Sequence, residues 1–372
     1  MAAADRPLLV VHDEEEGYLI YDLCLLESDD TEGAPLLASF PRPASCFGTP
    51  PWMQAFAVSG GHILGAWYSF WSNTLFHDSV MKVGGYDYFE QQPDAPRDAE
   101  GRAIWWWPMG RHLETNRQLG TQRDVPAMLP LAGGAAVVRM DTVLFDGAYC
   151  FEVLRLAPGG ESWRATPIPK PPVGRVAERD VLFVSAYFAV GTRVWISVTG
   201  RGTFSFDAGE HGRGRGRGAW RFEGPWELPF EGRALHVPEL GAAVVVGLAA
   251  GTRLLCACHL SPGAQPALRH VWGETHPRPS EECAGGLRPR DMATLAYLGE
   301  GRFCICRPMS TRKPAAYADP PVLFNAGCFL VVQLRRLPGG ELQLAKRGKM
   351  TYMWPPQGKQ WPSLGFIQPA TS

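Results

Sequence analysis

The chain has 372 residues, 45% hydrophobic and 20% charged, with a formal net charge of −1. That balance belongs to a folded globular protein, and its near-neutrality excludes a global field that would draw the molecule to nucleic acid or an anionic membrane. The 42 glycines and 33 prolines follow no G-X-Y period, so they point to many tight turns between short strands rather than to collagen or long helices.

In chain order, residues 1–6 read as a frayed end, and the N-terminal stretch lacks the basic region and long apolar core of a secretory signal. Strands are predicted at 8–11, 17–26 and 35–40, followed by a hairpin of 55–59 and 62–68 around Gly60-Gly61 and by a strand at 74–83. Residues 84–127 break the rhythm. They are polar, contain Trp105-Trp106-Trp107, and read as an insertion between strands. Alternation resumes at 135–146, 149–156 and 162–168.

The clearest stretch is 186–230, where Val194, Ile196 and Val198 alternate with Arg193, Trp195 and Ser197 ahead of a turn at Gly200 and Gly202. Later strands are predicted at 234–237, 242–248, 252–260, 267–272, 293–298, 302–308, 328–336 and 341–350. The longest apolar run, 241–251, is too short to span a bilayer. No segment sustains a capped helical period.

Six segments share a turn-like pair, one polar or bulky residue and an alternating apolar strand: EGYLIYDL, GGHILGAW, MDTVLFDG, GTRVWISV, GTRLLCAC and EGRFCICR. Their anchors are Tyr18, His62, Thr142, Arg193, Arg253 and Arg302, and most recur at about 45 to 60 residues, the range of a kelch-type blade. The fold expected is therefore all-β, a six-bladed kelch-like β-propeller forming one domain over 7–370, with 84–127 inserted between strands. Strands near the two termini are expected to share a blade and remove free edges. Two stacked β-sandwiches are the rival, and they predict no common spacing.

Four blocks carry a resemblance: VHDEEEGYLIYDL near the start, FEVLRLAPGGESWRATPIPKPP (151–172), TFSFDAGEHGRGRGRGAWRFEGPWELPFEGRA (203–234) and ATLAYLGEGRFCICR (293–307). In them the chain resembles a family of kelch-like propeller proteins expanded in grasses. The resemblance implies a propeller in a plant cell and no enzymatic activity, so it transfers no catalytic residue. ELGAA at 239–243 stands where an acidic, ELDAW-like turn of that family is expected.

Several constellations are candidates for chemistry. Cys256 and Cys258, and Cys304 and Cys306, are C-x-C pairs on strands at the same repeat position. An extended C-x-C holds its sulfurs about 7 Å apart, too far for an easy tetrahedral pair, so buried packing is expected unless neighbouring blades bring the four thiols together. Nine cysteines, an odd number, suit reduced thiols without disulfides in cytosol or nucleus. His270 and His276 form an H-x₅-H without the helix of a zinc finger, and His236 and His259 lie on other strands.

Asp141 with Asp146, or Asp13 with Asp22, would serve glycoside hydrolysis if they converged, but read as turn caps. The Gly/Arg loop 212–218 offers Arg213, Arg215 and Arg217 to phosphates or bases. Three adjacent tryptophans cannot all face inward from one extended segment, so Trp105, Trp106 and Trp107 suit partner contact. The expectation is a non-catalytic scaffold for a protein or peptide, with no cofactor, no metal and no membrane partner. The alternatives are an enzyme acting on a carbohydrate or small metabolite in a central pocket, and RNA binding through 212–218.

Overall fold

The computed structural model describes residues 7–13, 17–23, 38–39, 45–47, 53–59, 62–67, 104–108, 127–144, 151–157, 163–174, 181–209, 218–261, 263–276, 288–289, 293–310, 326–353 and 365–367. Among them there is no α-helix, and no helix long and apolar enough to cross a membrane; two 3-10 turns, Pro238–Leu240 and Gly273–Thr275, interrupt the strands. The chain divides into two compact units, one of residues 1–49, 229–262 and 266–368, the other mainly of residues 50–228.

The second unit holds two four-stranded meanders. Blade I runs through Ala127–Pro130, Ala136–Met140, Phe151–Leu156 and Trp163–Pro167, each strand antiparallel to the one before. Blade II runs through Leu182–Val190, Arg193–Val198, Gly202–Asp207 and Arg221–Gly224. Alternation places Val138, Met140 and Val153 of blade I in one apolar layer with Ile196, Phe204 and Phe206 of blade II. Blade II's other face sets the stacked Phe188 and Trp195 beside buried hydroxyls, which are satisfied in place. Ser197 and Thr203 share a 2.7 Å hydrogen bond, the Thr203 hydroxyl donates to the Trp226 carbonyl, and Ser205 donates to Glu223 at 2.6 Å. A third sheet joins Met53–Ser59, His62–Trp67 and Ile104–Pro108, the last pair being parallel.

The first unit repeats the pattern. Blade III comprises Leu235–His236, Val244–Leu248, Leu255–Ser261 and Ala264–Trp272. Blade IV comprises Thr294–Gly299, Arg302–Ser310, Ala326–Arg336 and Leu342–Met353. Val246, Leu255 and Ala257 share a core with Phe303, Ile305 and Val332, while Cys304, Cys306 and Phe329 pack with Leu9, Leu19 and Tyr21. Leu8–Asp13 pairs with Gly17–Asp22 on one side and with Gly365–Ile367 on the other, the terminal pairing expected from the sequence.

The fold is all-β and of the β-propeller type, but the expectation of six blades is corrected. Of six sheets among the described residues, four are built on a sequential four-stranded blade, and those of blades II and IV each carry two further short strands. The other two are the terminal sheet and the three-stranded sheet with a parallel edge. The six aligned segments do not occupy one structural position. Arg193–Val198 and Arg302–Ser310 are second strands of their blades, whereas the strand after Arg253 is a third strand. Thr142 precedes Val143–Leu144, a short strand that pairs with Phe183 and Leu182 of blade II. A glycine turn followed by an alternating strand marks any hairpin, so the pattern alone overcounts blades.

Candidate functional site

The tryptophans expected to meet a partner lie on Ile104–Pro108, opposite His62–Trp67, with Leu64 facing Trp105, Gly65 facing Trp106 and Ala66 facing Trp107. The rest of the expected insertion, 84–103 and 109–126, lies outside the described residues, as do Arg213, Arg215, Arg217 and Asp146. Asp22 stands opposite Leu8 and Asp13 opposite Gly17, so these two acids sit at opposite ends of one hairpin and do not converge.

The C-x-C pairs are kept apart by the packing of their own strands. Ala257 of blade III and Ile305 of blade IV point into the shared core. The flanking cysteines therefore face away from it on both sides: Cys304 and Cys306 toward the terminal sheet, Cys256 and Cys258 toward the other face of blade III. Among the described residues no group of three or more His, Cys, Asp or Glu is placed to hold a metal. Burial pushes the Cys256 and Cys258 thiols up to about 12 and raises Cys306 well above its usual value, with Cys304 and Cys328 adding to the last. These are packing residues with little thiolate character.

A pH prediction follows for Cys256 and Cys258. Below the ordinary thiol value of 9.0 both folded and unfolded forms keep the proton, and the contribution to stability is complete. Above it the unfolded thiols ionise first, so stability falls as pH rises from 9.0 to about 12. The slope is at most about 1.4 kcal/mol per pH unit for each thiol. Urea denaturation at pH 8 to 11 should show a shallower fall for Cys256→Ala/Cys258→Ala; an unchanged slope would remove the thiols from the account.

The other polar side chains mostly serve the fold. The His236 ring meets the Ala242 carbonyl at 2.9 Å. Buried Arg307 donates to the Arg253 carbonyl at 2.7 Å, fixing a turn in which Arg253 itself has φ +54° and pairs with Glu231. Glu152 pairs with Arg139, and Glu223 with Ser205 and Arg221.

One surface does not serve the fold in this way. Ala264–Trp272 is the edge of blade III, nine residues long, and Leu268 and Val271 are each 45% exposed. Its inner neighbour, Leu255–Ser261, is buried over its first four residues. His270 stacks on the buried Trp272 ring at 5.4 Å and 7°, as residues two apart on one strand face can. On the neighbouring strand, His259 has its pKa lowered first by burial and then by the charges of Arg269, Arg336 and His270. Arg269 and Arg336 are exposed and make no ion pair among the described residues. Gly241, the third residue of ELGAA, approaches Arg336 closely: a Cβ there would stand 2.9 Å from its Nη1.

The sequence pattern predicts a strand at 267–272 but not its exposure. Pro266 was the available signal, since proline within a strand marks an edge.

The profile of a family described as "Protein of unknown function (DUF1668)" matches residues 98–352, from before the tryptophan strand through nearly all of blade IV. No curated protein matches the chain. Among solved structures, the chain is similar to a protein from Lactobacillus plantarum at 11% identity and a TM-score of 0.40, over 98% of this chain and 100% of that one. It is also similar to a protein from Bacteroides uniformis ATCC 8492, described as a provisional 6-phosphogluconolactonase, at 9% identity and a TM-score of 0.31, over 60% and 70% of the two chains. The family match spans well over half of the 372 residues, and the chain belongs to the DUF1668 family.

Proposed function

We propose that the protein is a non-catalytic recognition scaffold that binds a protein partner on the surface around Ala264–Trp272. The observation that carries this reading is the exposure of Leu268 and Val271 on a long edge strand that also carries the exposed Arg269. Exposed apolar side chains next to charge on a rigid sheet are what a contact surface needs, and an edge without cover invites pairing. The carboxylates of the blades support the non-catalytic part. Glu152, Glu223, Asp207 and Glu231 are each engaged by a neighbouring arginine, serine or threonine. Trp105, Trp106 and Trp107 are proposed as a second contact segment.

The test is quantitative affinity purification of the tagged full-length protein from its native tissue, comparing wild type with Leu268→Asp/Val271→Asp and with Trp105→Ala/Trp107→Ala. The edge variant is expected to lose a partner at least about tenfold, equivalent to about 1.4 kcal/mol, with its thermal midpoint unchanged. A partner set indifferent to the edge variant, or turnover of a metabolite by the purified protein, would overturn the reading.

A further inference from the structure

Resting on the scaffold reading, we infer that the partner supplies an extended acidic segment that adds to blade III as a fifth strand along Ala264–Trp272. Three observations converge. The strand has neighbours on its inner side only among the described residues, so its outward backbone N–H and C=O groups are available to another chain. It is longer than the outer strands of blades I and II, which have five and four residues. Its charge is one-sided: Arg269 is exposed on the strand, whose nine residues carry no carboxylate.

Alternation specifies the segment further. Ala267, Arg269 and Val271 share one face, and cross-strand neighbours on one face interact directly. The complementary face carries a carboxylate opposite Arg269, flanked two residues away on each side by apolar, β-branched residues. Leu268, on the other face, asks for an apolar neighbour. A phosphate-bearing polymer satisfies the arginines but neither the apolar positions nor the backbone edge.

The experiment pans a display library of random nine-residue peptides on the full-length protein. Recovered peptides are then synthesised with a photoreactive residue and measured by fluorescence anisotropy. Enrichment of a glutamate or aspartate between apolar residues at two-residue spacing is expected, with crosslinks to 267–271. Proline at the centre of the peptide should abolish binding. Arg269→Glu should weaken the acidic peptide at least about tenfold and shift enrichment toward lysine or arginine. Crosslinks elsewhere, enrichment without a carboxylate, tolerance of the central proline, or tighter binding of a single-stranded RNA oligonucleotide than of any peptide would each overturn the inference. The scaffold reading fails separately, through a partner set that ignores Leu268→Asp/Val271→Asp.

Discussion

Glu152→Ala is expected to destabilise the protein by about 3–5 kcal/mol, the cost of breaking a buried ion pair from one side. Arg139 and Glu152 stand directly opposite each other on adjacent strands of blade I, with side chains 6% and 3% exposed. Met140, Val138 and Val153 turn into the apolar layer shared with blade II, so the pair lies on the opposite face, alongside Val137 and Leu154, both buried. Removing the carboxylate takes from a buried guanidinium the Glu152 charge that offsets its lost hydration, and leaves the space the side chain filled. The double variant Arg139→Met/Glu152→Leu removes both charges while keeping volume, and should recover most of the loss. Urea denaturation followed by tryptophan fluorescence measures both. If the double variant is no better than Glu152→Ala, the cost is one of packing and not of unpaired charge.

That pair also shows where the sequence stopped being legible. Strands such as Arg193–Val198 and Gly202–Asp207 were readable because a half-buried strand writes its burial into a two-residue alternation, a local signal. Arg139 and Glu152 are 13 residues apart, and each alone reads as a surface residue. Only the register of Ala136–Met140 against Phe151–Leu156 makes them partners. Blade number failed for a related reason: Arg253 and Arg193 have the same local context, yet one sits in a turn before a third strand and the other begins a second strand.

The candidate site was the least legible. Leu268 and Val271 look like core residues until the sheet order puts their strand at an edge, and Arg336, one of the charges that lower the His259 pKa, is distant in sequence. The cysteine pairs are buried, as apolar alternation along their strands implies. Whether they could meet depended on which side of each strand faced the common core, and the packing of Ala257 and Ile305 decides that.

Gly301→Ala should cost about 2–4 kcal/mol, more than an ordinary surface change, because two penalties coincide. Gly301 has φ +71°, a conformation that L residues adopt with strain, and a Cβ there would fall 2.3 Å from the Leu334 carbonyl oxygen. The contact cannot relax by moving a side chain, since both atoms are held by the backbone. Leu334 N–H donates to the Gly301 carbonyl at 2.7 Å, extending the ladder in which Arg302 faces Gln333. Leu334 is 1% exposed in the core shared by blades III and IV, so a shift there disturbs the packing of both. The Gly301 amide also donates to Glu239 at 2.8 Å, tying the turn to the 3-10 segment Pro238–Leu240. Gly340→Ala is the control. Its φ is +86°, but the nearest atom to a new Cβ is the mobile Arg336 Nη2 at 3.6 Å, so it should cost only the backbone strain of about 1–2 kcal/mol. Equal losses at the two glycines would mean that the backbone angle, and not the collision with Leu334, sets the cost of a side chain at this turn.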